Sequence, residues 1–132
     1  MSPEPWADAV ARLQALALPY PVQYPAEEFS EPDFAIWLSC QGESFIGVPV
    51  EMGSGIWEER GQFLVSIFVP SGQGSTEARA IGKQIATAYR GVTGGPVVYR
   101  SATIGDGGPF EDAKYWQFTV SINWVFTDHP SP

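Results

Sequence analysis

The chain has 132 residues, 44% hydrophobic and 17% charged, enough for one domain with a real core and too apolar to stay disordered. Fifteen acidic residues face seven basic ones, a net charge of −8, so the clustered Lys and Arg of a sequence-reading nucleic-acid surface are excluded. One cysteine, Cys40, and one histidine, His129, exclude an intrachain disulfide and a Cys/His zinc site.

Along the chain, Met1–Pro5 lacks the basic-then-apolar pattern of a secretory leader, and no apolar run approaches the roughly 18 residues of a membrane span. A cytosolic origin and no membrane contact are expected. Residues 3–17 predict a short amphipathic helix: Ser2 can cap it, Pro3 suits its first turn, and Trp6, Val10, Leu13 and Ala17 share a face. Pro19 and Pro21 end it, and residues 20–33 read as a short extended piece followed by an acidic loop. Residues 34–40 and 45–51 predict two strands joined by a turn at Gln41-Gly42-Glu43, with Pro49 marking an edge or bulge. Residues 52–61 predict a long loop or a protruding hairpin.

Residues 62–69 predict a central strand, with Phe63, Val65, Ile67 and Val69 on one face and Leu64 and Phe68 on the other. Residues 75–90 predict a second helix with the stripe Ala78, Ile81, Ile85, Ala88 and Tyr89, stopped by Gly91. A strand is expected over 96–104 and an acidic loop over 105–112. Residues 115–126 carry the strongest signal: Trp116, Phe118, Val120, Ile122, Trp124 and Phe126 alternate with a more polar set, the period of a half-buried strand. The tail from Thr127 is expected to fray. Strands bunch around a single inserted helix, which gives a single-domain α+β fold, mainly an antiparallel sheet with both helices packed on it.

Chemistry finds little purchase. Gly72-Gln73-Gly74-Ser75-Thr76 joins a strand to a helix, as phosphate loops do, yet lacks their lysine and reads best as a plain turn. Cys40 lies in an apolar strand far from His129, the position of a structural thiol rather than a nucleophile. Glu58, Glu59, Glu111 and Asp112 form no marked carboxylate pair for sugar chemistry, and Asp106, Glu111 and Asp112 fit no calcium loop. No catalytic, cofactor or metal site is expected. The aromatic content of 14% is high for so small a domain, and such rings suit contacts between chains.

Three stretches carry a family likeness: the N-terminal helix with Tyr20-Pro21-Val22 and Phe34-Ala35-Ile36-Trp37-Leu38, the junction Val69-Pro70-Ser71-Gly72-Gln73-Gly74 before a helix, and the aromatic strand Tyr115 to Phe126. Over roughly residues 5–127 the chain resembles the tail terminator proteins of long-tailed bacteriophages and related particles. The resemblance implies a structural virion protein. It forms a ring, usually of six copies, that caps the tail tube at its head-proximal end, stops tube growth and meets the head-completion or neck proteins. DNA passes through the centre without specific binding, and assembly takes place in the host cytoplasm. Two alternatives stay open: a head-completion or neck connector, and a small cytosolic ligand-binding domain or enzyme.

Under this reading an acidic lumen would repel the phosphate backbone, and closed-ring joints would use the surplus aromatics. The two glycine-rich segments supply the candidates. Ile56, Trp57 and Phe110 are the expected contacts with a neighbouring subunit or the tube, unless these rings pack on their own sheet. Glu58, Glu59, Asp106, Glu111 and Asp112 are the candidate lumen acids.

Overall fold

A computed structural model describes residues 1–50, 53, 55–92 and 95–129. Glu51, Met52 and the tail from Pro130, which the sequence reading covered, lie outside these. The elements run α1 (Pro3–Ala15), β1 (Val22–Gln23), β2 (Trp37–Pro49), β3 (Trp57–Pro70), α2 (Thr76–Tyr89), β4 (Val97–Phe110) and β5 (Tyr115–Asp128). They build one five-stranded sheet in the order β1-β2-β3-β5-β4, antiparallel except where two-residue β1 runs parallel to β2. This is the α+β architecture the sequence implies.

The alternation in β3 and β5 decides where the core lies. Phe63 pairs with Ile122 and Val65 with Val120, which puts the apolar sets of the two central strands on the same face. Both helices cover that face. Ile81, Ile85, Ala86 and Tyr89 from α2, with Ala9 and Leu13 from α1, join Leu38, Cys40, Phe63, Val65, Ile67, Phe118, Val120, Ile122 and Trp124 in one cluster. Full burial of each large side chain there stabilises the fold by roughly 1.5–3 kcal/mol. The buried Tyr89 hydroxyl donates to the Ala9 carbonyl at 2.6 Å and ties the two helices together.

Several sequence expectations need correction. The turn at Gln41–Glu43 does not form: β2 runs straight through it, paired with β3 from Trp37↔Phe68 to Pro49↔Trp57, with one bulge between Ser44 and Ile46. The chain does not reverse at Gly42, where a Cβ would meet the Met1 thioether and the Trp6 ring. Residues 105–110 are no loop either. They extend β4 along β5, with bulges between Tyr99 and Ser101 and between Gly105 and Gly108. β4 is the sheet's edge, where glycine, proline and bulges are tolerated.

Smaller differences concern element ends. Residues 127–128 are strand, not fray, and Ala17 lies beyond α1 with a positive φ of 50°. Ser2 and Ser75 occupy the N-cap positions of the two helices without a side-chain capping bond. Trp116 falls in phase with the covered face of β5, yet stays 42% exposed and donates its indole N–H to the Asp106 carbonyl at 2.8 Å.

Candidate assembly surfaces

Of the stretch 52–61, expected as a long loop or a protruding hairpin, Trp57–Gly61 is strand, and with residues 45–50 it forms the end of the β2–β3 hairpin, an arm that β5 flanks on the β3 side as far as Trp57↔Asp128. Beyond Gly61 the paired β2 and β3 continue to Pro49↔Trp57, and Val50 N–H closes the arm on the Ile56 carbonyl at 2.9 Å. No described helix covers this stretch beyond the α1 N-terminus. Phe45, Ile46, Val48, Val50 and Trp57 are consequently all exposed, between 43% and 57%. They are five of the eight large apolar side chains exposed among the described residues. A cluster of this kind marks a contact surface more than scattered single residues do.

The sequence reading picked out Ile56 and Trp57 and missed Phe45, Ile46, Val48 and Val50. The signal was legible: in Phe45-Ile46-Gly47-Val48-Pro49-Val50 the residues between the apolar ones are Gly and Pro, so no polar face alternates with them. Phe45, at the bulge, has no partner in the register and is turned outward.

At the arm's base, Glu59 accepts hydrogen bonds from the Ser2 backbone N–H at 3.0 Å and from the Ser44 hydroxyl. Partial burial pushes its carboxyl up, but the Ser2 and Ser44 donors and the N-terminal ammonium outweigh it and leave the group below the usual carboxylate range. Glu58, on the opposite face of the strand, pairs with Arg60 at 3.2 Å. Ser2, Ser44, Ile46, Gly47, Trp57, both glutamates and Asp128 line a shallow groove of about 300 Å³.

Phe110 lies elsewhere. β3 runs 14 residues from Trp57 to Pro70, about 40 Å at 3.3 Å per residue, and the Phe110–Tyr115 turn sits at its far end. The candidate residues therefore fall into two groups. Ile56, Trp57, Glu58 and Glu59 stand at one end of the sheet, and Asp106, Phe110, Glu111 and Asp112 at the other.

Phe110 is half-buried on its own subunit, with its ring 4.6 Å from Phe68 and 6.1 Å from Trp37. Trp37 stacks on Phe68 at 4.0 Å, and Phe29 and Tyr115 complete this second, helix-free cluster. The Tyr115 hydroxyl donates to the Pro32 carbonyl at 2.6 Å and pins the preceding loop across it. Glu111 and Asp112 are exposed, and the hydrogen-bonded Glu31 carboxyl holds Glu111 above the usual carboxylate range. Asp106 pairs with Arg79 at 2.8 Å.

The turn before α2 shapes a groove of about 400 Å³ lined by Val69, Pro70, Gly72, Gly74, Arg79, Asp106, Trp116 and Phe118. Arg79 is already paired with Asp106 there, so the loop offers an anion no uncompensated cation. Cys40 is buried, and burial pushes its thiol up to about 12, the state of a structural residue. Among the described residues no three His, Cys, Asp or Glu side chains are placed to share a metal ion, and no helix is long and apolar enough to cross a membrane.

With this geometry in hand, comparison with known proteins is specific. Residues 6–124 match the family model described as phage tail terminator protein. No curated protein matches the chain. Among 16 matching solved chains, one whose title is only a sequence identifier superposes with a TM-score of 0.70 over 99% of both chains. At 20% identity, that likeness speaks for the fold alone.

Proposed function

The chain belongs to the phage tail terminator family, and we propose that it caps the tail tube as a closed ring, six copies in number, that ends tube growth and receives the head-completion proteins. The observation that carries this reading is the hairpin arm: five exposed apolar side chains lie together on it without cover among the described residues. Ile56 and Trp57 on this arm contact the tube or a neighbouring copy. The opposite end of the sheet, with Phe110, serves the second partner. Strands set along the ring axis put one end on each face of the ring, as a cap joined on both sides requires.

DNA passes through the ring without specific binding. Glu58, Glu59, Asp106, Glu111 and Asp112 lie near the two mouths and contribute a negative potential that discourages phosphate contact. Glu111 and Asp112 serve best, since Glu58 is paired with Arg60, Asp106 with Arg79, and Glu59 is held by Ser2 and Ser44. The role is structural, at the head-proximal end of the tail, and calls on no catalytic residue, cofactor or metal.

The test is tail-length control. Trp57→Ala and Phe110→Ala are purified, their folding verified by circular dichroism, and each is added to growing tubes viewed by electron microscopy. Loss of a buried interface aromatic costs about 2 kcal/mol or more, so Trp57→Ala tubes should overgrow. Tubes of normal length with both variants would remove these residues from the interface.

A further inference from the structure

Charge is sorted along the chain. Between Arg12 and Arg60 there are eight acidic residues and no basic one, whereas residues 78–105 hold Arg79, Lys83, Arg90 and Arg100 and no acid. The fold sends these two segments to opposite sides. The first builds β1, β2, the loop between them and half of the arm. The second builds α2 beyond Thr76 and Glu77 and β4 as far as Gly105, just short of Asp106, and β1-β2 and β4 are the two flanks of the sheet.

The charges on these flanks are available. Glu27, Glu28 and Glu43 are exposed on the acidic flank, Lys83 and Arg100 on the basic one, and none of the five makes an ion pair among the described residues. β4, and β2 beyond its two-residue pairing with β1, each present an exposed bulge residue: Phe45, 57% exposed, on β2 and Arg100 on β4. The bulges, with Pro49 and Pro109, interrupt regular laddering, so a neighbour meets side chains there rather than extending the sheet.

We propose that copies of this chain join head to tail through these flanks, the basic β4–α2 flank of one against the acidic β2 flank of the next. Lys83 and Arg100 face Glu27, Glu28 and Glu43, and Phe45 is covered at the joint. A two-fold joint would set acid against acid or base against base. Complementary flanks on one subunit instead favour the heterologous contact that closes into a ring. This rests on the ring reading above and adds which surfaces make the joint.

Reversing one flank at a time tests it. Lys83→Glu/Arg100→Glu reverses the unpaired charges named on the basic flank, and Glu27→Lys/Glu28→Lys/Glu43→Lys reverses those named on the acidic one. All five sites are exposed, and circular dichroism and melting identify folded protein. The milder pair Arg100→Gln and Glu43→Gln stands in should a reversed chain misfold. Sedimentation and electron microscopy, with and without purified tail tubes, read assembly. Each reversed variant should require at least about tenfold more protein to assemble, and an equimolar mixture should regain wild-type assembly by alternating the two. Wild-type assembly should weaken as salt rises.

Reversed variants that assemble alone as well as wild type, or a mixture that stays unassembled, would overturn the proposal while leaving the ring intact. Wild-type protein that stays single even on tubes would instead remove the ring, and the joint with it. Acidic-flank variants that still form rings but no longer cap tubes would assign that flank to another protein and also overturn the joint.

Discussion

Gly61 lies where β3 is held on both sides, by β2 and by β5. It is buried in β3, opposite Ser44 at the bulge of β2, and a Cβ built on it would lie 2.7 Å from Trp124 Cζ2, 2.9 Å from the Glu43 carbonyl carbon, and closer still to that carbonyl's oxygen. Backbone cannot swing aside as a long side chain can, and the Trp124 indole is itself buried in the core. Gly61→Ala must therefore push β2 off β3 or displace the ring. Overpacking typically costs 1–3 kcal/mol, and with both obstacles present the upper end, about 3 kcal/mol, applies. For a domain of this size that lowers the melting temperature by about 10 °C. Gly47 is the internal control: it lies in the same strand pair with no heavy atom within 4 Å of its would-be Cβ. Gly47→Ala should be neutral, or more stable by about 0.5 kcal/mol. Thermal and urea unfolding of both variants decide the matter. A Gly61→Ala melting point within about 2 °C of wild type would mean that β2 and β3 are not in the register described here.

Other expectations follow from single contacts. Tyr89→Phe removes the hydroxyl bonded to Ala9 and should cost about 1 kcal/mol by urea unfolding, with no loss of helix content. Cys40 should resist a thiol reagent at pH 8 in the native state and react fully in denaturant; native labelling at the rate of a free thiol would contradict its burial. Glu59 titrates lower folded than unfolded, so its contribution is complete above the ordinary glutamate range and fades as pH falls through the lowered folded value. Glu59→Gln should therefore flatten part of the acid-side loss of stability, measured as unfolding free energy between pH 6 and pH 3.

How far the sequence could be read depended on what each strand packs against. In β5 the alternation from Phe118 to Phe126 was legible because one covered face imposes period two along its whole length. The same count put Trp116 inside, correct in phase but blind to where the cover ends. β2 and β4 were read short for a common reason: Gly42 and the Gly105–Pro109 run carry turn chemistry, yet an edge strand accepts it. The two-residue β1 left no periodicity to find. Of the candidate assembly residues, the arm aromatic Trp57 was visible as a ring without an obvious core. That Phe110 rests on Trp37 and Phe68 required knowing that the turn of one hairpin lies beside the start of another strand.

The strand order has a consequence for biosynthesis. β5 lies inside the sheet, between β3 and β4, and follows both in the chain, and its end closes against the start of β3 at Trp57↔Asp128. A nascent chain can form the β2–β3 hairpin and α2 early, but the long-range pairing that seats them must await residues 115–128. Until then β3 has an open side, and β4 has no neighbour to hold it at the opposite flank. Under the proposed ring, a subunit would gain both flanks only after β5 has left the ribosome, so half-made copies would lack a joint.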